Sequence, residues 1–127
     1  MVLWITAWGL NFTAFKATAE SPTLTPQEIY ENKLEQWVQA VRWEESMGKD
    51  MLVILDTNNK YSHGCLQYQM DTWLSYSKKY KVEGEMMDCN AQIKLTKEII
   101  RHEPDGWKNW YTTVVKKGVG KPPIMLQ

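Results

Sequence analysis

Cysteine and histidine are scarce, with two of each in 127 residues. Two cysteines cannot scaffold a disulfide-built miniprotein. The histidines, His63 and His102, have no clustered Cys or carboxylate partners that would make a metal motif. Neither sign of charge is in excess, since fifteen Lys+Arg balance fifteen Asp+Glu. That balance argues against a dedicated nucleic-acid binder, whose basic stripe normally shows as a surplus. The longest uncharged stretch at the N-terminus, Met1 to Phe15, is short of the roughly 20 residues a spanning helix needs, so no stable membrane span is expected. Gly118-Val119-Gly120-Lys121 follows no strand and is not a phosphate loop, and Ser46 sits in no nucleophile elbow. What is present is an ordinary globular mixture, 43% hydrophobic and 24% charged, in a chain long enough for one domain with a real core. Disordered, collagenous and coiled-coil classes are excluded. Seven Trp and six Tyr are many for this length.

The uncharged start is followed by Lys16 and then Ala17-Thr18-Ala19, the small-x-small pattern at which signal peptidases cut. Residues 1–19 are therefore expected to be an export signal, which makes the protein secreted, periplasmic or associated with a cell wall. The competing reading is a hydrophobic N-terminal helix packed on the domain. Export would place Cys65 and Cys89 in an oxidising compartment where they can pair; otherwise both serve as small buried hydrophobes. Residues 20–25 read as a linker, 26–118 as the domain and 119–127 as a tail.

The domain opens on Thr25-Pro26-Gln27-Glu28, with a cap, a Pro at the first helical position and a Glu placed to reach back. Tyr30, Leu34, Trp37, Val38 and Val41 then share one face, and the helix is expected to stop near Met47-Gly48. Leu52-Val53-Ile54-Leu55 reads as a strand, Asp56-Thr57-Asn58-Asn59 as a tight turn and Lys60 to His63 as the returning strand, ended by Gly64. Such a hairpin is marginal alone and is expected to lean on the helices. Three helices are expected after it. Leu66 to Tyr80 aligns Leu66, Met70, Trp73 and Leu74; a second, capped by Asp88, carries Cys89, Ile93, Thr96 and Ile100; a third, capped by Asp105, carries Trp107, Trp110, Tyr111, Val114 and Val115. The class is α+β, mostly helical, with one small hairpin after the first long helix.

Glu44 and Glu45 lie in the last turn of that first helix. At ~100° per residue the apolar face points ~36° from Glu45 and ~64° from Glu44, so Glu45 leans further inward. Desolvation there disfavours the charged form, the condition for a general acid near neutral pH. The spacing alone equally suits two solvated helix-end glutamates.

Glu45-Ser46, then Gly64-Cys65-Leu66-Gln67, then Thr72 resembles the Glu-Ser … Gly-Leu-x-Gln … Thr signature of lytic transglycosylases and goose-type lysozymes. The stretch Asp56-Thr57-Asn58-Asn59-Lys60-Tyr61-Ser62-His63-Gly64 is similar to the Asp-Thr-x-Gly-x-Tyr-Thr-x-Gly hairpin of phage-type lysozymes. Asn59 stands for that family's Gly and Ser62 for its Thr. The resemblance implies a lysozyme-like fold, cleavage of β-1,4 bonds in peptidoglycan glycan strands, Glu45 as the acid, Asp56 as the second carboxylate and Ser62 as its hydroxyl partner. It also implies that Gly64, Gln67 and Thr72 belong to the sugar-binding floor. Trp107-Lys108-Asn109-Trp110-Tyr111 falls where the transglycosylases often carry Ala-Tyr-Asn, a motif this sequence does not have in that form. Tyr68, Trp107, Trp110 and Tyr111 are candidate platforms for sugar rings, against the alternative that aromatics at helical spacing fill the core. Among them Tyr68 is expected to be the one that faces outward. No cofactor is implied, and the protein is expected to act as a monomer. The competing functional class is a non-catalytic lysozyme-like module that binds wall glycan or a protein partner.

Overall fold

A computed structural model describes residues 23–125. The expected export signal and the start of the linker lie outside the described residues. Helix α1 spans Pro26–Ser46 and begins as its sequence dictates: the Thr25 hydroxyl accepts from the Glu28 amide, and the Glu28 carboxylate accepts from the Thr25 amide, each at 3.1 Å. The five apolar positions read from periodicity are the ones α1 buries, together with Ser46. Met47 ends the helix in the left-handed region, its amide bonded to the Trp43 carbonyl.

Strands β1 (Val53–Leu55), β2 (Tyr61–His63) and β3 (Tyr68–Gln69) form one antiparallel sheet in that order, with Ile54 opposite Ser62 and Ser62 opposite Gln69. Asn59 takes the positive φ that the turn requires, at 65°. One expectation needs correction: the hairpin is a three-stranded sheet, because residues 64–67 turn back instead of starting a helix. The sheet leans on the helices as expected, but through β2 and β3, which pack against the helix that follows. The apolar strand β1 stays outside, with Val53, Ile54 and Leu55 47%, 45% and 52% exposed on the sheet edge.

Leu66 and Tyr68 anchor the sheet in the core, and polar groups tie its turn to the last long helix. Gln92, fully buried on the last long helix, accepts from the Leu66 amide at 2.8 Å and donates to the carbonyls of His63 (2.9 Å) and Met86 (2.6 Å). Gly64, at φ 80°, lies so close to that amide that a Cβ there would collide with it. A disulfide joins the neighbouring Cys65 to Cys89, with 5.6 Å between their Cα atoms, which settles the open question of the two thiols.

Helix α2 (Met70–Tyr80) buries Trp73 but leaves Met70 and Leu74 outside, contrary to the expected stripe. Helix α3 (Cys89–His102) is capped by Asp88, which accepts from the Asn90 amide, and buries Leu95, Ile99 and Ile100. The expected last helix is instead a 3-10 turn, Gly106–Trp110, followed by a π-helical turn, Thr112–Lys116, and Asp105 makes no side-chain cap. In a 3-10 turn residues i and i+3 eclipse, which brings both Trp107 and Trp110 to the buried side.

The core runs between α1, α3 and these turns. Trp110 is its hub, edge-on to Trp37 at 6.4 Å and to Tyr68 at 5.5 Å between ring centres, with its indole N–H donated to the Leu66 carbonyl at 2.9 Å. Residues 118–120 fold back over α1, where the Trp37 indole donates to the Gly120 carbonyl. Among the described residues no helix is long and apolar enough to cross a membrane.

Candidate active site

A cleft of about 590 Å³ opens between the C-terminal end of α1, the sheet and the two final turns. Glu45, Asp56, Ser62, Gln67, Tyr68, Thr72, Trp110 and Tyr111 all line it. Two candidates do not. Gly64 is buried under Gln92 and serves the turn. Trp107 is buried, stacked on Tyr111 with the Lys108 and Lys121 ammonium groups over its ring.

Tyr68 is also corrected. It is 2% exposed, edge-on to Trp73 and Trp110, and its hydroxyl shares a 2.7 Å hydrogen bond with Thr96. It supports the floor from beneath and offers no free face. Trp110 is buried in the same way, which leaves Tyr111, 49% exposed, as the aromatic face on the cleft.

Glu45 is half-buried where α1 ends. Burial pushes its carboxyl above the ordinary glutamate range, and the nearby charges of Asp56 and Glu44 push the same way. A hydrogen bond from Thr113 and the Lys117 ammonium oppose that rise without cancelling it. Lys117 is held there by donating to the Glu44 carbonyl at 3.2 Å.

Asp56 stands at the exposed end of the hairpin but is tightly tied. Its Oδ2 accepts from the buried Ser62 hydroxyl and from the Gln69 amide, the latter at 3.0 Å. Asn58 and Gln69 bond each other through both amide ends, at 3.0 and 3.1 Å. Gln67 sits at φ 55°, its side-chain amide donating to the carbonyls of Gly64 (2.8 Å) and Leu52 (3.1 Å). That amide locks the turn between β2 and β3 at the edge of the cleft.

Chemically, the cleft sets a carboxyl biased toward its protonated form beside a second carboxylate whose oxygen is fixed by two donors. The expected pair, Glu45 and Asp56, is thus brought together, and Gln69, Thr113, Asn109, Lys108 and Lys117 join them. Gln69 is hidden in the sequence because β3 reads as helix; the pairing that sets it opposite Ser62 appears only in the fold. Nothing in the sequence marks Thr113. Among the described residues one potential metal-ligand grouping occurs, Asp50 with Cys65 and Cys89, and its two sulfurs are consumed by the disulfide. Compared with known proteins, the chain matches no family, no curated protein and no solved structure.

Proposed function

We propose that the protein is an exported, lysozyme-like glycosidase that hydrolyses β-1,4 bonds in peptidoglycan glycan strands. The observation that carries the reading is Glu45: a half-buried carboxyl, biased toward protonation, in one cleft with Asp56. The order of elements adds support, with a long helix ending on the acid, a small sheet bearing the second carboxylate, and a turn from Gly64 to Gln67 at the cleft edge. The disulfide fits an oxidising compartment and hence export.

In this mechanism a glycan strand lies along the cleft, with Gln67, Thr72 and Tyr111 against its sugars. Glu45 gives its proton to the glycosidic oxygen as the C1–O bond breaks, and positive charge develops at the anomeric carbon. Asp56, held by Ser62 and Gln69, stabilises that charge and takes a proton from the water that adds to the carbon. The placement of Asp56 in the cleft favours water attack over the single-glutamate route that ends in an anhydro sugar.

The test is loss of turbidity of purified peptidoglycan with wild type and Glu45→Gln, followed by mass spectrometry of the released fragments. The expected result is clearing by wild type, at least a hundredfold less by the variant, and fragments carrying one added water. Anhydro products would shift the mechanism to transglycosylation. Glycan binding by both proteins without cleavage would make this a binding module instead.

A further inference from the structure

Resting on that reading, we infer that Thr113 is the positioning residue of the general acid: its hydroxyl fixes which oxygen of Glu45 is free to face the glycosidic bond. Thr113 is 1% exposed, and its Oγ1 donates to Glu45 Oε1 at 2.7 Å across 68 residues of sequence. The bond engages Oε1, so a proton carried by Glu45 is directed to Oε2.

The backbone explains why a threonine here can reach the helix end. Thr113 lies in the π-helical turn closed by the Lys117 amide on the Thr112 carbonyl at 3.0 Å. The extra residue in that turn re-aims the side chains that follow the 3-10 segment, and π-turns of this kind are frequent at functional sites. The turn is in turn anchored, since the Val119 amide donates to the Thr113 carbonyl and Trp37 holds Gly120 against α1. A buried hydroxyl must find a hydrogen-bond partner, and the partner this one has is the Glu45 carboxyl.

The groups facing Glu45 are Lys117 from the end of that turn, Asp56 from the hairpin and Glu44 from its own helix, with Lys108 on the cleft wall. Donation by Thr113 favours the ionised carboxylate, so removing it raises the pH at which Glu45 titrates.

The experiment compares wild type, Thr113→Val and Thr113→Ser. Glu45 is titrated by carboxyl-carbon NMR, and kcat and KM are measured on soluble peptidoglycan glycan fragments across pH. Thr113→Val is expected to raise the Glu45 midpoint, lower kcat roughly tenfold to a hundredfold with KM unchanged, and move the alkaline limb of the rate profile upward. Thr113→Ser restores all three. Should Val not fold, Thr113→Ala takes its place. A Glu45 midpoint and kcat in the valine or alanine protein equal to wild type would overturn the inference. Were wild type to cleave nothing, the hydrolase reading would fail, and the NMR midpoint alone would then decide whether Thr113 holds Glu45.

Discussion

The two walls of the cleft are held together by different physics. The wall carrying Glu45 is built on apolar packing: Leu34, Val38, Leu95 and Ile99 are wholly buried, and Trp37 meets Trp110 edge to face. The wall carrying Asp56 leaves its first strand in water, enters the core only through the turn and β3 with Leu66 and Tyr68, and is otherwise fixed by amides, hydroxyls and one disulfide. Each wall suits the group it holds. An apolar support biases a carboxyl toward its acid form, whereas a network of donors keeps a carboxylate oriented in a solvated place.

Mutations can break this contrast. The largest effect is expected from Leu95→Ala, which leaves a cavity in the helical wall and costs about 2–5 kcal/mol in urea unfolding. Replacing both cysteines by serine should cost roughly 3 kcal/mol by the same measurement, since the bond closes a 24-residue loop in the unfolded chain. Gln92→Leu keeps the volume but strands the Leu66 amide and two carbonyls, at about 1–3 kcal/mol; its heteronuclear NMR spectrum should change around residues 63–67 and little in α1. Ile54→Ser, on the exposed strand, should shift stability by no more than about 0.5 kcal/mol. A large loss there would mean that β1 depends on apolar contacts after all.

Glu45→Gln sharpens the comparison from the other side. The folded pKa of Glu45 lies above its unfolded value, so the folded state holds the proton more tightly. Stability from this group is therefore full below the unfolded pKa and is lost as pH rises through the folded one. The glutamine protein should consequently melt at or above the wild-type temperature at neutral pH, and that advantage should vanish in acid. A lower melting temperature at neutral pH would contradict the desolvated state of Glu45.

The same contrast explains what the sequence discloses. In α1 the capping box and five apolar positions agree, and the helix has the expected start and buried face. Asn59 likewise marks its turn. The polar wall has no period to read: β3 is two residues long, and Leu66, Met70, Trp73 and Leu74 imitate a helical stripe although Met70 and Leu74 are exposed. Glu45 and Asp56 are visible because motifs flank them. Gln69 and Thr113 reach the same cleft by strand pairing and a π-turn, which local patterns do not encode. Tyr68 misled because a tyrosine beside a predicted floor residue looks the same in sequence whether its ring lies above the floor or under it.

One measurement bears most directly on Glu45 as the acid: the pH dependence of kcat/KM on soluble glycan fragments, set beside the carboxyl-carbon titration of Glu45 in the free protein. Cleavage should fall off on the alkaline side with a midpoint equal to that of Glu45, and above the midpoints of the exposed glutamates. Cleavage that persists unchanged after Glu45 has ionised, or a Glu45 that titrates with or below the exposed glutamates, would contradict the account.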